Sequence, residues 1–82
     1  MRRSTYLIIT DNMGKSWACL AGCIADNADI CHPTLRETVD SELHDCRDWR
    51  LATRNEQRGL RSLDWGQSAY ELYRAMRQGL RT

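Results

Sequence analysis

The segment Gly14-Lys15-Ser16 has residue types that bind phosphate, and it lies between an apolar segment and a stretch with helical spacing. A nucleotide-binding phosphate loop needs another glycine five residues earlier, because the backbone there wraps around the phosphates. That position is Ile9, whose branched side chain cannot take the role. The chain of 82 residues is also too short for the parallel sheet of such enzymes. We therefore predict that the protein is not a nucleotide hydrolase.

Six thiol and imidazole side chains are possible metal ligands or catalytic groups. They are Cys19, Cys23, Cys31, His32, His44 and Cys46. Structural zinc needs four such ligands in a tetrahedron, but the chain has no Cys-x-x-Cys pair, and helical spacing would put Cys46 on an apolar stripe. Adjacent residues such as Cys31 and His32 rarely face each other, and no group that would stabilise an oxyanion is evident. We predict no enzyme activity and no cofactor, and a zinc-stapled structural module is the third hypothesis.

Arginines in the second half of the chain form the most informative pattern. If residues from Leu35 onward form one continuous helix, which turns about 100° per residue, six arginines fall within a sector of about 80°. They are Arg36, Arg47, Arg50, Arg54, Arg58 and Arg61. Most of those between residues 50 and 61 have no acidic residue three or four positions away. The stripe therefore predicts a surface that binds carboxylates or phosphates through guanidinium groups.

Two aromatic residues are candidates for apolar anchors beside these arginines. Trp49 neighbours the arginine sector, and Tyr70 lies off the apolar stripe of the C-terminal segment. Tryptophan and tyrosine often dominate the binding energy at protein interfaces. The predicted partner-binding residues are therefore Arg47, Trp49, Arg50, Arg54, Arg58, Arg61 and Tyr70.

The charges are unevenly distributed although the net charge is only +1. Residues 1–48 contain five basic and eight acidic residues, a net charge of −3, whereas residues 49–82 contain seven basic and three acidic residues, a net charge of +4. The small net charge does not favour attraction of the whole chain to nucleic acid or a membrane. No apolar segment approaches the roughly 18 residues of a membrane span, and no export signal is evident, so a cytoplasmic location is expected.

The N-terminal third of the chain has two interpretations. Residues 5–10 (TYLIIT) are rich in β-branched and aromatic types and predict a strand. Residues 12–28 carry apolar residues at helical spacing, which favours a helix. The alternative is a β-hairpin in which YLIIT pairs with SWACLAG across the turn DNMGK, with Gly14 in the turn.

Two helices are predicted in the rest of the chain. Thr34 and Glu37 form a capping box after Pro33, and a long helix extends from there to about residue 58, where Gly59 provides a C-terminal stop. Asp64 precedes a last helix with a regular apolar stripe. The stripe consists of Trp65, Ala69, Leu72, Tyr73, Met76 and Leu80.

Residues 5–45 resemble a ribbon-helix-helix DNA-binding protein in the order of their elements. A short strand is followed by a capped helix, a turn and a second helix that opens TLRETVDSEL. In that family two strands pair across a dimer, and their polar side chains read the DNA major groove. The strand here is apolar on both faces, with only Thr5 and Thr10 polar. The resemblance therefore implies a strand that pairs with its own copy in a dimer, and it does not imply reading of bases.

Together these patterns predict one small domain, residues 1–82, with a mainly α fold: a short N-terminal strand followed by about three helices. The alternative is an α+β fold with an N-terminal β-hairpin and two helices. A homodimer is expected, because a lone strand needs a pairing partner. The leading hypothesis is a non-enzymatic interaction protein that binds and modulates, by regulation or inhibition, a larger protein with an acidic surface. The runner-up is a nucleic-acid-binding transcriptional regulator that uses the same arginines on phosphates.

Overall fold

The structure is a computed structural model that describes residues 1–63. This part contains three strands and three helices: β1 (Tyr6–Thr10), β2 (Ser16–Leu20), α1 (Ala21–Asp26), α2 (Leu35–Glu42), β3 (Asp48–Leu51) and α3 (Arg54–Leu63). The strands form one antiparallel sheet in the order β2-β1-β3, so the fold is α+β. The predicted mainly α fold is therefore wrong. The predicted last helix, which was placed after Asp64, lies outside the described residues.

A β-hairpin replaces the helix predicted over residues 12–28. The buried carboxylate of Asp11 accepts hydrogen bonds from the backbone N–H groups of Met13 and Lys15, both at 2.9 Å. Gly14 has a φ of 85°, a left-handed conformation that glycine adopts without steric cost. These turn interactions pair β1 with β2 as the hairpin alternative predicted, and only α1 remains of the helix. Met13, an apolar residue of the segment predicted to be that helix, is 67% exposed.

The hydrophobic core lies on one face of the sheet. Its fully buried side chains are Leu7, Ile9, Cys19, Ala21, Ile24, Val39 and Leu43. Alternate residues of β1 point to this face, and α1 and α2 pack together over it. The other face of β1 is also apolar, because Tyr6 is only 3% exposed and Ile8 is half-buried. A strand that is apolar on both faces requires cover on both sides of the sheet.

Both edges of β1 are paired within one chain. Ile8 lies opposite Ala18 of β2 on one side and Arg50 of β3 on the other. The expectation of a homodimer was based on a strand without a partner, and that reason no longer applies. The pairing implied by the ribbon-helix-helix resemblance is likewise replaced by pairing inside the chain. Dimerisation itself stays a prediction.

The continuous helix predicted from residue 35 to about residue 58 is wrong, although its start is confirmed. The backbone N–H of Glu37 donates a hydrogen bond to the Thr34 hydroxyl at 3.1 Å, and α2 begins at Leu35. The helix ends at Glu42, and the chain then enters β3, because the free edge of β1 offers a full set of backbone partners. Gly59 does not end a helix but lies inside α3.

The start of α3 is connected to both neighbouring strands. Thr53 and Glu56 form a reciprocal capping box, with hydrogen bonds of 2.8 and 3.2 Å between each side chain and the other backbone N–H. The Gln57 side chain accepts a hydrogen bond from the backbone N–H of Tyr6 and donates one to its carbonyl, both at 2.8 Å. The same amide donates to the carbonyl of Ala52 at 3.3 Å. Gln57 therefore joins α3 to β1 as a further strand residue would.

We predict that Gln57→Ala destabilises the protein by about 1–3 kcal/mol, because it leaves a buried backbone N–H of Tyr6 without its acceptor. The change should be measured as the free energy of unfolding in urea. Asn55→Ala is the matched control, since Asn55 is an exposed amide two residues earlier in α3. Equal stability of the two variants would contradict this role of Gln57.

Candidate binding surface on the third helix

Three arginines of α3 lie on one side of the helix and line a common cleft. Arg54, Arg58 and Arg61 are spaced four and three residues apart, which places them on one helical face. The cleft has a volume of about 510 Å³, and its other lining residues are Thr5, Ala52 and Gln57. All three arginine side chains are exposed. We call these three residues the α3 arginine face.

The α3 arginine face has no acidic partner in the described part of the chain. The two ion pairs there join Arg3 to Asp26 and Arg50 to Glu56. The other polar side chains that line the cleft have partners inside the chain, because Gln57 is bonded to the backbone of Tyr6 and the Thr5 hydroxyl accepts a hydrogen bond from the backbone N–H of Arg2. The guanidinium groups are therefore the charged groups that this cleft presents to a ligand.

Arg50 has a different environment from the α3 arginine face. It holds Glu56 through two parallel hydrogen bonds of 2.8 and 3.1 Å and also donates to the carbonyl of Leu51 at 3.2 Å. The side-chain hydrogen bond from Arg50, assisted by the backbone N–H of Thr53, lowers the pKa of Glu56 to about 2. The same pairing raises the pKa of Arg50. Arg50 thus connects β3 to the first turn of α3.

Trp49 also makes its contacts inside the fold. Its side chain is half-buried against the core, and its indole N–H donates a hydrogen bond to the Asp40 carboxylate at 3.1 Å. The guanidinium of Arg36 lies 5.4 Å from the centroid of the indole ring, a cation–π distance. Arg36 and Trp49 therefore fasten α2 to β3.

The predicted site residues divide into separate places. Arg47 is exposed in the segment before β3, and its guanidinium lies beside the hairpin turn, 3.7 Å from where a Cβ on Gly14 would be. Tyr70 lies outside the described residues. The structure places Arg54, Arg58 and Arg61 along one cleft, and Arg47, Trp49 and Arg50 do not line it. The single stripe that a continuous helix would have produced does not exist.

Two features of this surface were not recognised in the sequence. The capping box of Thr53 and Glu56 has the same spacing as that of Thr34 and Glu37, and it would have predicted the start of α3. The contact between Gln57 and Tyr6 joins residues 51 positions apart, and no local pattern announces it. The capping box is a local sequence signal, whereas the contact between Gln57 and Tyr6 exists only in the tertiary structure.

The described residues contain no grouping that suggests a metal site. Among residues 1–63 there is no cluster of three or more His, Cys, Asp or Glu side chains placed to hold a metal ion. The four cysteines are thiols and not disulfides, and they range from the buried Cys19 to the exposed Cys31. The zinc-stapled hypothesis therefore finds no support in this part of the chain. Over the same residues, the helices lack the length and hydrophobicity needed to cross a membrane.

Comparison with known proteins adds no assignment to this geometry. No protein-family model matches the chain, and no curated protein or solved structure matches it. The function is therefore argued from the surface itself.

We predict that part of the folding stability disappears in acid as Glu56 is protonated. The folded pKa of about 2 lies below the ordinary value of 4.5, so ionised Glu56 stabilises the folded state. This stabilisation is complete above the ordinary value and is lost as the pH falls through the folded value. The measurement is the free energy of unfolding of wild type and Glu56→Gln between about pH 6 and about pH 2.

The difference between those two proteins should shrink steadily over the lower part of that range. Arg50→Gln is the matched partner variant, because it removes the largest cause of the shift while leaving the capping box intact. In the Arg50→Gln background, the effect of Glu56→Gln should be smaller and less dependent on pH. A difference that is constant with pH would show that the pair does not stabilise the fold.

Proposed function

We propose that this protein is a small non-enzymatic interaction protein whose α3 arginine face docks on an acidic surface of a larger protein and modulates that protein. The observation that carries the proposal is the cleft that Arg54, Arg58 and Arg61 line without an acidic partner in the described part of the chain. Arginine suits such a role, because its planar guanidinium binds a carboxylate through two parallel hydrogen bonds.

The arrangement is unfavourable for the isolated helix. Like charges four residues apart destabilise a helix by about 0.2–0.5 kcal/mol per pair, and Arg54 and Arg58 have that spacing. Arg54 is also the first residue of α3, where the positive end of the helix dipole disfavours a cation. A carboxylate bound there would interact favourably with the dipole and with the guanidinium groups. These local costs support a surface that is completed by a partner.

Two properties favour an acidic protein surface over a nucleic acid. Residues 1–48 carry a net charge of −3, so an extended polyanion would meet repulsion beyond α3. The α3 arginine face is also short, since Arg54 and Arg61 are seven positions apart, which corresponds to about 10.5 Å along a helix axis. A compact group of carboxylates can be bound within this length. Nucleic-acid binding through the same arginines is the competing outcome of the experiment below.

The proposal is tested by affinity capture from native lysate with and without nuclease. The α3 variant carries Arg54→Glu, Arg58→Glu and Arg61→Glu. The control variant carries Arg2→Glu, Lys15→Glu and Arg47→Glu, three exposed positions outside α3. Each set lowers the formal net charge by six, from +1 to −5, so the two variants differ only in where the charge was reversed.

We expect wild type and the control variant to retain one protein in a stoichiometric, nuclease-resistant complex. The α3 variant should bind it at least about tenfold more weakly, because the acidic groups of the partner would face glutamates. Loss of the complex on nuclease treatment would show that the arginines contact the phosphates of a nucleic acid and not the carboxylates of a protein. In that case the binding constant should fall with salt at a log–log slope of about −0.9 for each phosphate contacted. Equal loss in both variants would show that the α3 arginine face has no specific role.

A further inference from the structure

The axial spacing of the α3 arginine face carries information about the shape of the partner. A helix rises 1.5 Å per residue, so Arg54 and Arg58 are about 6.0 Å apart along the axis, and Arg58 and Arg61 are about 4.5 Å apart. Three acidic residues at positions i, i+4 and i+7 of a parallel helix repeat these two steps. An antiparallel helix repeats them with acidic residues at i, i+3 and i+7. A strand cannot do so, because its side chains on one face recur every 6.6 Å or so.

The cleft beside α3 is also lined by residues that allow the close approach of a helix. These are Thr5, which precedes β1, and Ala52, which follows β3. Both side chains are small, and helices approach one another to about 8–10 Å where small residues lie at the contact. The Gln57 amide needs no polar partner there, since it is bonded to the backbone of Tyr6 and Ala52.

The α3 arginine face is held at its base in a fixed orientation. The Arg50–Glu56 ion pair and the Gln57–Tyr6 contact fix the first turn of the helix to the sheet, and the Thr53–Glu56 capping box stabilises the start of the helix itself. A helix that is fixed before binding loses little freedom when a partner docks, so the spacing of its arginines can select the spacing of carboxylates.

From these observations we propose that the occupant of the cleft is an acidic α-helix of the partner protein, with Asp or Glu at i, i+4 and i+7 or, in the reverse direction, at i, i+3 and i+7. The inference rests on the proposed function and adds the secondary structure and the charge register of the partner. Arg54, Arg58 and Arg61 would each take one carboxylate, with the partner helix lying along α3 over Ala52.

The test uses the full chain and synthetic peptides. Two Ala-rich peptides each carry three glutamates and are locked as a helix by a side-chain staple. The matched peptide has its glutamates at i, i+4 and i+7, and its isomer has them distributed around the helix. A flexible peptide that carries three glutamates at alternate positions and a short DNA duplex complete the set. Binding is measured by fluorescence anisotropy at low salt, with wild type, the α3 variant and the control variant.

We expect the matched peptide to bind wild type and the control variant at least about tenfold more tightly than the isomer or the flexible peptide, a difference of about 1.4 kcal/mol. The α3 variant should lose this preference. If all three peptides bind wild type equally and the α3 variant abolishes this binding, the helical register would be overturned and the proposed function would still stand. Binding of the duplex alone, or of no probe, would overturn both.

Discussion

The β1 strand is the constraint on which the rest of this structure depends. Its sequence is apolar on both faces, so it is stable only where both edges are paired and both faces are covered. Pairing one edge draws residues 16–20 into β2, and pairing the other draws residues 48–51 into β3. The core helices then cover one face. The chain leaves β3 at Leu51 and enters α3 at Arg54, three residues later, so the position of α3 follows from that of β1.

The carboxylate of Glu56 decides which arginines remain available. It accepts the backbone N–H of Thr53 and both terminal nitrogens of Arg50, so a single acidic side chain starts α3 and neutralises the arginine of the neighbouring strand. It is the one acidic residue between residues 49 and 63. Because Glu56 is occupied by a strand residue, Arg54 and Arg58 have no other acidic residue within four positions in the sequence.

Local patterns predicted the parts of the fold that local interactions determine. The Thr34–Glu37 signature located the start of α2, and Gly14 located the turn of the hairpin that was held as the alternative. The long helix failed because Leu35, Val39 and Leu43 continue at helical spacing towards Trp49, and periodicity alone cannot show where a helix gives way to a strand. That boundary is set by the free edge of β1, some forty residues earlier in the chain.

Only part of the candidate surface was predicted, because local patterns in the sequence determine only part of it. The spacing of Arg54, Arg58 and Arg61 is local to ten residues, so it survives the failure of the longer helix in which it was first recognised. Arg50 and Trp49 would belong to that surface only if the helix were continuous. In the structure both lie on β3, where they have partners inside the fold. The contribution of Gln57 depends on Tyr6, a residue of a different element.

Six of the eight described arginines fall into two groups according to what faces them. Arg3, Arg36 and Arg50 each contact a different group, namely Asp26, the Trp49 ring and Glu56. The α3 arginine face has no counterpart of this kind among residues 1–63. Charges on a protein surface are screened over about 8 Å at physiological salt, so a partner senses the local group and not the net charge of +1. A nearly neutral chain can therefore present a local cationic surface, because Arg3 and Arg50 are paired with carboxylates while Arg54, Arg58 and Arg61 share one exposed helical face.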